Sequence, residues 1–307
     1  MSDSSLLSRI RTGGFALVML AGVFTGGAAR AEVKVGGWTP IFQGVEFATG
    51  EADEKEPRLQ KAFAVRVDLR APGIEFLATP DNGDAPLETT SETPNDFLVR
   101  HKLQVAINAN FYEPCCEPGN KNLLGLAMSR GVLVSPPAAT GTGAAVLLIT
   151  RDNHATITTT AKPIAVEKYW TAVAGSERVL IDGVKPVFKP TKFNTTEHPR
   201  SAVGISKDGR YLILLAIDGR QPGYSIGAPM DDVAAWLLRF GAWQGLNLDG
   251  GGSTALVRAS EDGPMQLNKV SGAGKPHGDQ SDFEVVKRVQ RSNGNHLGVF
   301  ARPLARR

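Results

Sequence analysis

Ser201-Ala202-Val203-Gly204-Ile205-Ser206, Lys207-Asp208-Gly209-Arg210 and Tyr211-Leu212-Ile213-Leu214-Leu215-Ala216-Ile217 read in succession as strand, tight turn and strand. Asp-Gly is a strong hairpin signal because both central turn positions favour positive φ. The second strand is apolar throughout, as expected for a strand covered on both faces. Working outward, Pro229 and the acidic pair Asp231 and Asp232 open a helix, and Arg239 suits its C-terminal end. Val233, Trp236, Leu237 and Phe240 share one face of that helix, and Gly241 stops it. Gly245–Leu248, Ala255–Val257 and His296–Ala301 read as further short strands.

Upstream, Phe63–Leu69 alternates with period two and reads as a half-buried strand, with Ile74–Thr79 expected as its neighbour through Ala71-Pro72-Gly73. Asp81–Pro94 is a polar, Pro-bearing loop, and Asp96–Leu103 a short helix. Gln104–Asn108 reads as a buried strand, and Ala144–Thr150 with Ala155–Thr160 as a strand pair. The Gly/Lys/Asp-rich stretch Ser271–Ser281 reads as a loop. Strands dominate and no repeat is present. The expected class is α+β: a strand-rich single domain with mixed or antiparallel sheets and a few packed helices.

The 307-residue chain is 42% hydrophobic with a formal charge of +3. Arg9 and Arg11 precede the apolar run Phe15–Phe24, and Ala29-Arg30-Ala31 is an A-x-A pattern, so 1–31 reads as a cleavable signal peptide. The apolar run is shorter than the roughly 20 residues a spanning helix needs. The expected mature domain is 32–307, periplasmic or secreted, with no integral membrane segment after cleavage. Removing Arg9, Arg11 and Arg30 against Asp3 takes away most of the excess positive charge. No basic run interleaved with aromatics remains, so nucleic acid is not an expected partner. The only cysteines, Cys115 and Cys116, are adjacent and flanked by Pro114 and Pro118. Neighbouring residues lie closer than disulfides prefer, so a vicinal bridge and two unbridged loop residues both stay open.

The segment Asn247-Leu248-Asp249-Gly250-Gly251-Gly252-Ser253-Thr254 carries the most chemistry. Three glycines permit close approach of a ligand and a nest of N–H groups suited to an anion. Asn247 and Asp249 are two apart, so within a strand they project to the same side. A glycine turn with structural duties alone fits the same residues. His198-Pro199-Arg200 and Asp218-Gly219-Arg220 also place charge at strand ends, where function concentrates. Arg200 has the fork of donors that suits phosphate, or a surface ion pair. Asp218 reads equally as a base, a metal ligand or the opening residue of a turn.

In order and spacing, Pro199–Gly204, Asp218-Gly219-Arg220, the 231–241 helix and Asn247–Ser253 resemble the phosphodiester glycosidase family. Ala106-Ile107-Asn108-Ala109-Asn110-Phe111-Tyr112 is similar to its Asn-Gly-Gly-Phe-Phe segment. Leu124-Gly125-Leu126, Ala174-Gly175-Ser176 through Asp182-Gly183, and Asn295–Val299 also fit, so the resemblance covers about 105–300. The chain departs in reading Asn-Ala-Asn for Asn-Gly-Gly, and in Ser201, where Thr is frequent. The resemblance implies an exported hydrolase of sugar-1-phosphate diesters in envelope or extracellular glycans, linked in bacteria to exopolysaccharide. On that reading Asp249 is the first choice of nucleophile or base and Asp218 the second. Arg200 and the Gly250-Gly251-Gly252-Ser253 turn bind phosphate, Asn108 and Asn247 bind sugar hydroxyls, and His198 is a candidate acid. No cofactor is required, and a divalent cation on Asp218 or Asp249 stays open. Two other readings are a hydrolase of ordinary glycosidic bonds and a non-catalytic carbohydrate-binding protein of exopolysaccharide assembly; the paired carboxylates argue against the latter.

Overall fold

The hairpin forms as the sequence predicts: Arg200–Ser206 pairs antiparallel with Tyr211–Ile217, and Gly209 takes a φ of 64° in the turn. This pair is the centre of an eight-stranded sheet. On one side follow Gln60–Asp68 and Val45–Ala52, with Thr39–Phe42 and Lys34–Val35 on the outer edge. On the other side come Ala242–Asn247 and then Arg178–Leu180. The computed structural model describes residues 33–53, 58–272 and 289–305. The expected 1–31 signal peptide and most of the expected 271–281 loop lie outside them.

The sheet is buried on both faces, which explains the unbroken apolar run. Alternate side chains fall into different cores. Val65, Val67, Val203, Ile205, Leu212, Leu214 and Leu246 face one core, while Ala62, Ala64, Ala202, Ile213, Leu215 and Ile217 face the other. The second core is closed by the helix Met230–Arg239 through Met230, Val233, Trp236 and Leu237. That helix ends as expected, with Gly241 at φ 95° donating to the Leu238 carbonyl.

The first core is closed by two five-stranded sheets. One runs Gly263–Gln266, Leu256–Ser260, Val105–Asn108, His296–Phe300, Glu75–Ala78; the other contains the expected hairpin Ala145–Ile149 and Ala155–Thr159, then Thr171–Gly175, Ala127–Ser129 and Val132–Ser135. A small three-stranded sheet joins Thr89–Thr90, Asn120–Leu123 and Tyr112–Glu113.

Two expectations change. Glu75–Ala78 does not neighbour Gln60–Asp68; it pairs with His296–Phe300 in another sheet. The places beside Gln60–Asp68 go to Val45–Ala52 and Tyr211–Ile217 because short-range turn signals do not choose between long-range partners. The pairings are antiparallel throughout the described residues, and the α-helices there are Pro94–His101, Lys192–Thr195 and Met230–Arg239. The chain is therefore mostly β rather than a balanced α+β protein. The described residues fall within one compact unit, and none of their helices is long and apolar enough to cross a membrane.

Candidate active site

Strand Ala242–Asn247 ends just before the glycine turn, and this decides how the motif residues point. Asn247, still in the strand, is fully buried; its Nδ2 donates to Ser176 Oγ at 2.9 Å and to the Leu248 carbonyl at 2.8 Å. Asp249 lies beyond the strand, so the alternation that would put both on one side no longer applies. Its backbone N–H donates to the Ala109 carbonyl, and its own carbonyl accepts from Asn108 Nδ2 at 2.6 Å. The carboxylate is left lining a pocket of about 680 Å³ with Phe111, Tyr112, Cys115, Asn122 and Leu124. That volume is in the range of small-molecule sites.

The carboxylate sits among donors. Gly250 N–H donates to Oδ1 at 2.9 Å, and the Ser253 hydroxyl hydrogen-bonds the same side chain. Burial nevertheless pushes the Asp249 carboxyl up to about 6, against the opposing pull of Ser253, Arg291, Gly250 and Arg220. Tyr112 is held beside it. Burial and the Asp249 charge push that phenol up to about 12, so it remains a neutral donor, bonded to the Ser292 carbonyl at 3.1 Å.

The glycines admit two arginines. The turn winds into a short 3₁₀ element over Gly251–Ser253, in which the Gly251 N–H is taken by the Pro199 carbonyl and the Ser253 N–H by that of Gly250. The expected nest of free N–H groups is thus partly consumed within the protein. Gly251 takes a φ of 61°, and a Cβ there would stand 3.2 Å from Arg220 Nη2. A Cβ on Gly252 would collide with the Arg291 guanidinium. Two half-buried guanidinium groups therefore reach the turn because no side chains stand in the way. Burial and the charge of Arg291 draw Arg220 down to about 10, which leaves it protonated at neutral pH.

The other predicted residues hold this arrangement in place. Asn108, at the end of Val105–Asn108, is fully buried; its Oδ1 accepts from Ser201 Oγ at 2.6 Å and from the Ala255 N–H at 3.2 Å. Arg200 is buried with its donors directed at carbonyls: Nε to Ala228 at 2.9 Å, Nη2 to Phe193 at 2.6 Å and to Thr196 at 3.2 Å. Asp218 is buried too, accepting from Asn268 Nδ2 at 2.8 Å, from the Lys269 N–H at 2.9 Å and from Tyr224 at 3.2 Å. His198 lies 3.2 Å from Arg220 Nη2 through Nδ1. Burial, with Arg200 and Arg220 nearby, draws its pKa down to about 4. A neutral imidazole suits acceptance from Arg220 better than proton donation. Among the described residues, no group of three or more His, Cys, Asp or Glu side chains is placed to hold a metal ion.

Sequence reading singled out Asp249 and the turn but left Arg220, Arg291 and Tyr112 without roles. Arg220 and Tyr112 stand inside quoted motifs. Arg291 has no local signal, and only the folded chain brings it to Gly252.

The protein-family model for phosphodiester glycosidases matches residues 101–300. Among solved structures, the catalytic domain of zebrafish N-acetylglucosamine-1-phosphodiester alpha-N-acetylglucosaminidase, auto-inhibited by its pro-peptide, superposes with a TM-score of 0.64 at 19% identity, over 89% of each chain. A putative exported protein of Burkholderia pseudomallei gives 0.60 at 10% identity, over 88% of this chain and 96% of that one. A hypothetical protein from Synechocystis gives 0.56 at 14% identity, over 89% and 68% respectively. At these identities the likeness establishes the fold. A search of curated proteins finds no match.

Proposed function

The chain belongs to the phosphodiester glycosidase family, and from that premise we propose that it is an exported hydrolase of sugar-1-phosphate diesters in envelope or extracellular glycans. The observation that carries the reading is the Asp249 carboxylate, lining an open pocket beside a turn that two arginines approach. The reaction breaks the bond from the anomeric carbon to the phosphate oxygen, and the electron pair leaves with the phosphate. Water supplies the hydroxyl at the anomeric carbon and the proton that balances it. Arg220 and Arg291 hold the departing phosphate, which needs fixed positive charge where negative charge develops. Asp249 faces the oxocarbenium-like carbon as nucleophile or base. A phosphate leaving group makes little demand on a general acid, in keeping with a site where His198 is neutral. Export is supported by the N-terminal leader pattern.

The test offers purified protein methyl diesters of N-acetylglucosamine-, glucose-, galactose- and mannose-1-phosphate beside the matched p-nitrophenyl glycosides. Release of sugar from at least one diester, with the glycosides intact, is the expected result. Cleavage of the glycosides alone would overturn the reading.

A further inference from the structure

The pair Cys115–Cys116 is joined by a disulfide. A bridge stabilises a fold chiefly by closing a long loop in the unfolded chain. One between neighbours closes no such loop, so its consequence is local. Locally it lies on the catalytic pocket. Tyr112–Glu113 and Asn120–Leu123 form a hairpin whose tip, 114–119, carries both cysteines, and Cys115 lines the same pocket as Asp249. The far side of the tip is pinned: Lys121 Nζ donates to the Glu117 carbonyl at 2.6 Å, and Gly119 exchanges bonds with Ser91. The near side is continuous with Tyr112. What remains between these anchors is the bridged pair, and Cys115 is exposed.

The wall beside it is apolar: Leu87, Phe111, Pro114 and Leu124 accompany Cys115, while Glu113, Asn122 and Asp249 supply polar groups. Apolar walls with a few placed polar groups are the usual lining of a small-molecule site. A sugar ring has C–H faces that pack on such walls and hydroxyls that reach such groups. We propose that the Cys115–Cys116 disulfide is a specificity-determining wall of the sugar pocket, fixing the tip of the 112–123 hairpin in the shape that packs against the sugar facing Asp249. The proposal rests on the reading of Asp249 as the sugar-facing carboxylate.

The test compares oxidised protein, protein reduced by a trialkylphosphine, and the double variant Cys115→Ser/Cys116→Ser. Reduction adds two electrons and two protons to the sulfurs, while the phosphine takes an oxygen from water to become its oxide; the mass gain of two hydrogens verifies it. Calorimetric titration with the four sugar-1-phosphates reads binding without turnover, and the methyl diesters give kcat and KM. The expected result is about tenfold weaker binding and higher KM in the reduced protein and the double variant. The ranking of the four sugars flattens, kcat moves within about twofold, and the unfolding midpoint is unchanged. Equal affinities in the oxidised and reduced forms would overturn the proposal, as would a loss confined to kcat or a collapse of the fold on reduction. Binding that responds to reduction without cleavage of any diester would sink the proposed reaction while leaving the wall in place. No binding by the oxidised protein would sink both.

Discussion

At the scale of single residues, the role proposed for Asp249 carries an energetic cost. Burial raises its carboxyl pKa to about 6 in the fold, above the 3.8 ordinary for an exposed aspartate. The folded chain therefore holds this proton more tightly than the unfolded chain, and ionisation weakens the fold as pH rises from about 4 to 6. Above that window the cost is fully present. Asp249→Asn removes it, so the variant is expected to gain about 1–3 kcal/mol at pH 7.5, the gain fading toward pH 4. Turnover of the diester should fall about a thousandfold. Urea titrations at the two pH values, alongside kcat, check both halves; a variant that turns over normally would remove Asp249 from the mechanism. A gain in stability accompanying loss of activity is the mark of a group placed for chemistry rather than for folding.

At the scale of elements, the site depends on where strands end. Val105–Asn108 and Ala242–Asn247 belong to different sheets, and Asn108 ties them by donating to the Asp249 carbonyl while accepting from Ser201 and Ala255. Asn108→Ala leaves these buried groups unpaired, at about 2–3 kcal/mol. It should also lower kcat about tenfold or more with KM little changed, because the carboxylate shifts while the pocket wall stays. A comparable fall in stability with unchanged kcat would limit Asn108 to a structural role. The opposite face of the large sheet offers a control. Gly50 lies against the ring of Trp236, whose Nε1 donates to Gln60 Oε1 at 2.8 Å. Gly50→Ala forces a methyl group into that contact and should cost about 1–3 kcal/mol by overpacking. Its kcat and KM should match the parent at temperatures well below the unfolding midpoint.

At the scale of the whole molecule, acid stability is set by opposing groups. Burial draws His198 to about 4 and His296 to about 3, with His296 stacked 4.7 Å from Phe97 and bonded to Thr79. Both are neutral in the fold and become charged in the unfolded chain below about 6.5. Their contribution is fully present above that pH and is lost as pH falls toward 4. Asp249 acts in the reverse sense over an overlapping range. The two histidines outweigh Asp249 by about 2 kcal/mol between pH 7 and 5. His101, drawn down by burial, adds to their side, and Glu92 and Asp232, raised by burial, add to that of Asp249, so unfolding free energy should drop over that range. Denaturant midpoints across that range test this, and a flat or rising profile would contradict it.

Periodicity and turn chemistry in the sequence determined the central hairpin, the 230–239 helix, the strand ending at Asn108 and the glycine turn beside Asp249. Each is a local matter: an Asp-Gly turn, a face repeating every three to four residues, an apolar run between turns. Tertiary structure alone decided the pairing of Glu75–Ala78 with His296–Phe300, since sheet partners are selected by contacts far apart in sequence. It also decided the cations at the site. Arg200, whose fork of donors suggested a phosphate ligand, spends donors on the backbone carbonyls of Ala228, Phe193 and Thr196, whereas Arg220 and Arg291 reach the turn where glycine leaves room. A guanidinium at the end of a long side chain goes where unpaired acceptors and open space meet it. Neither is written in the residues beside it.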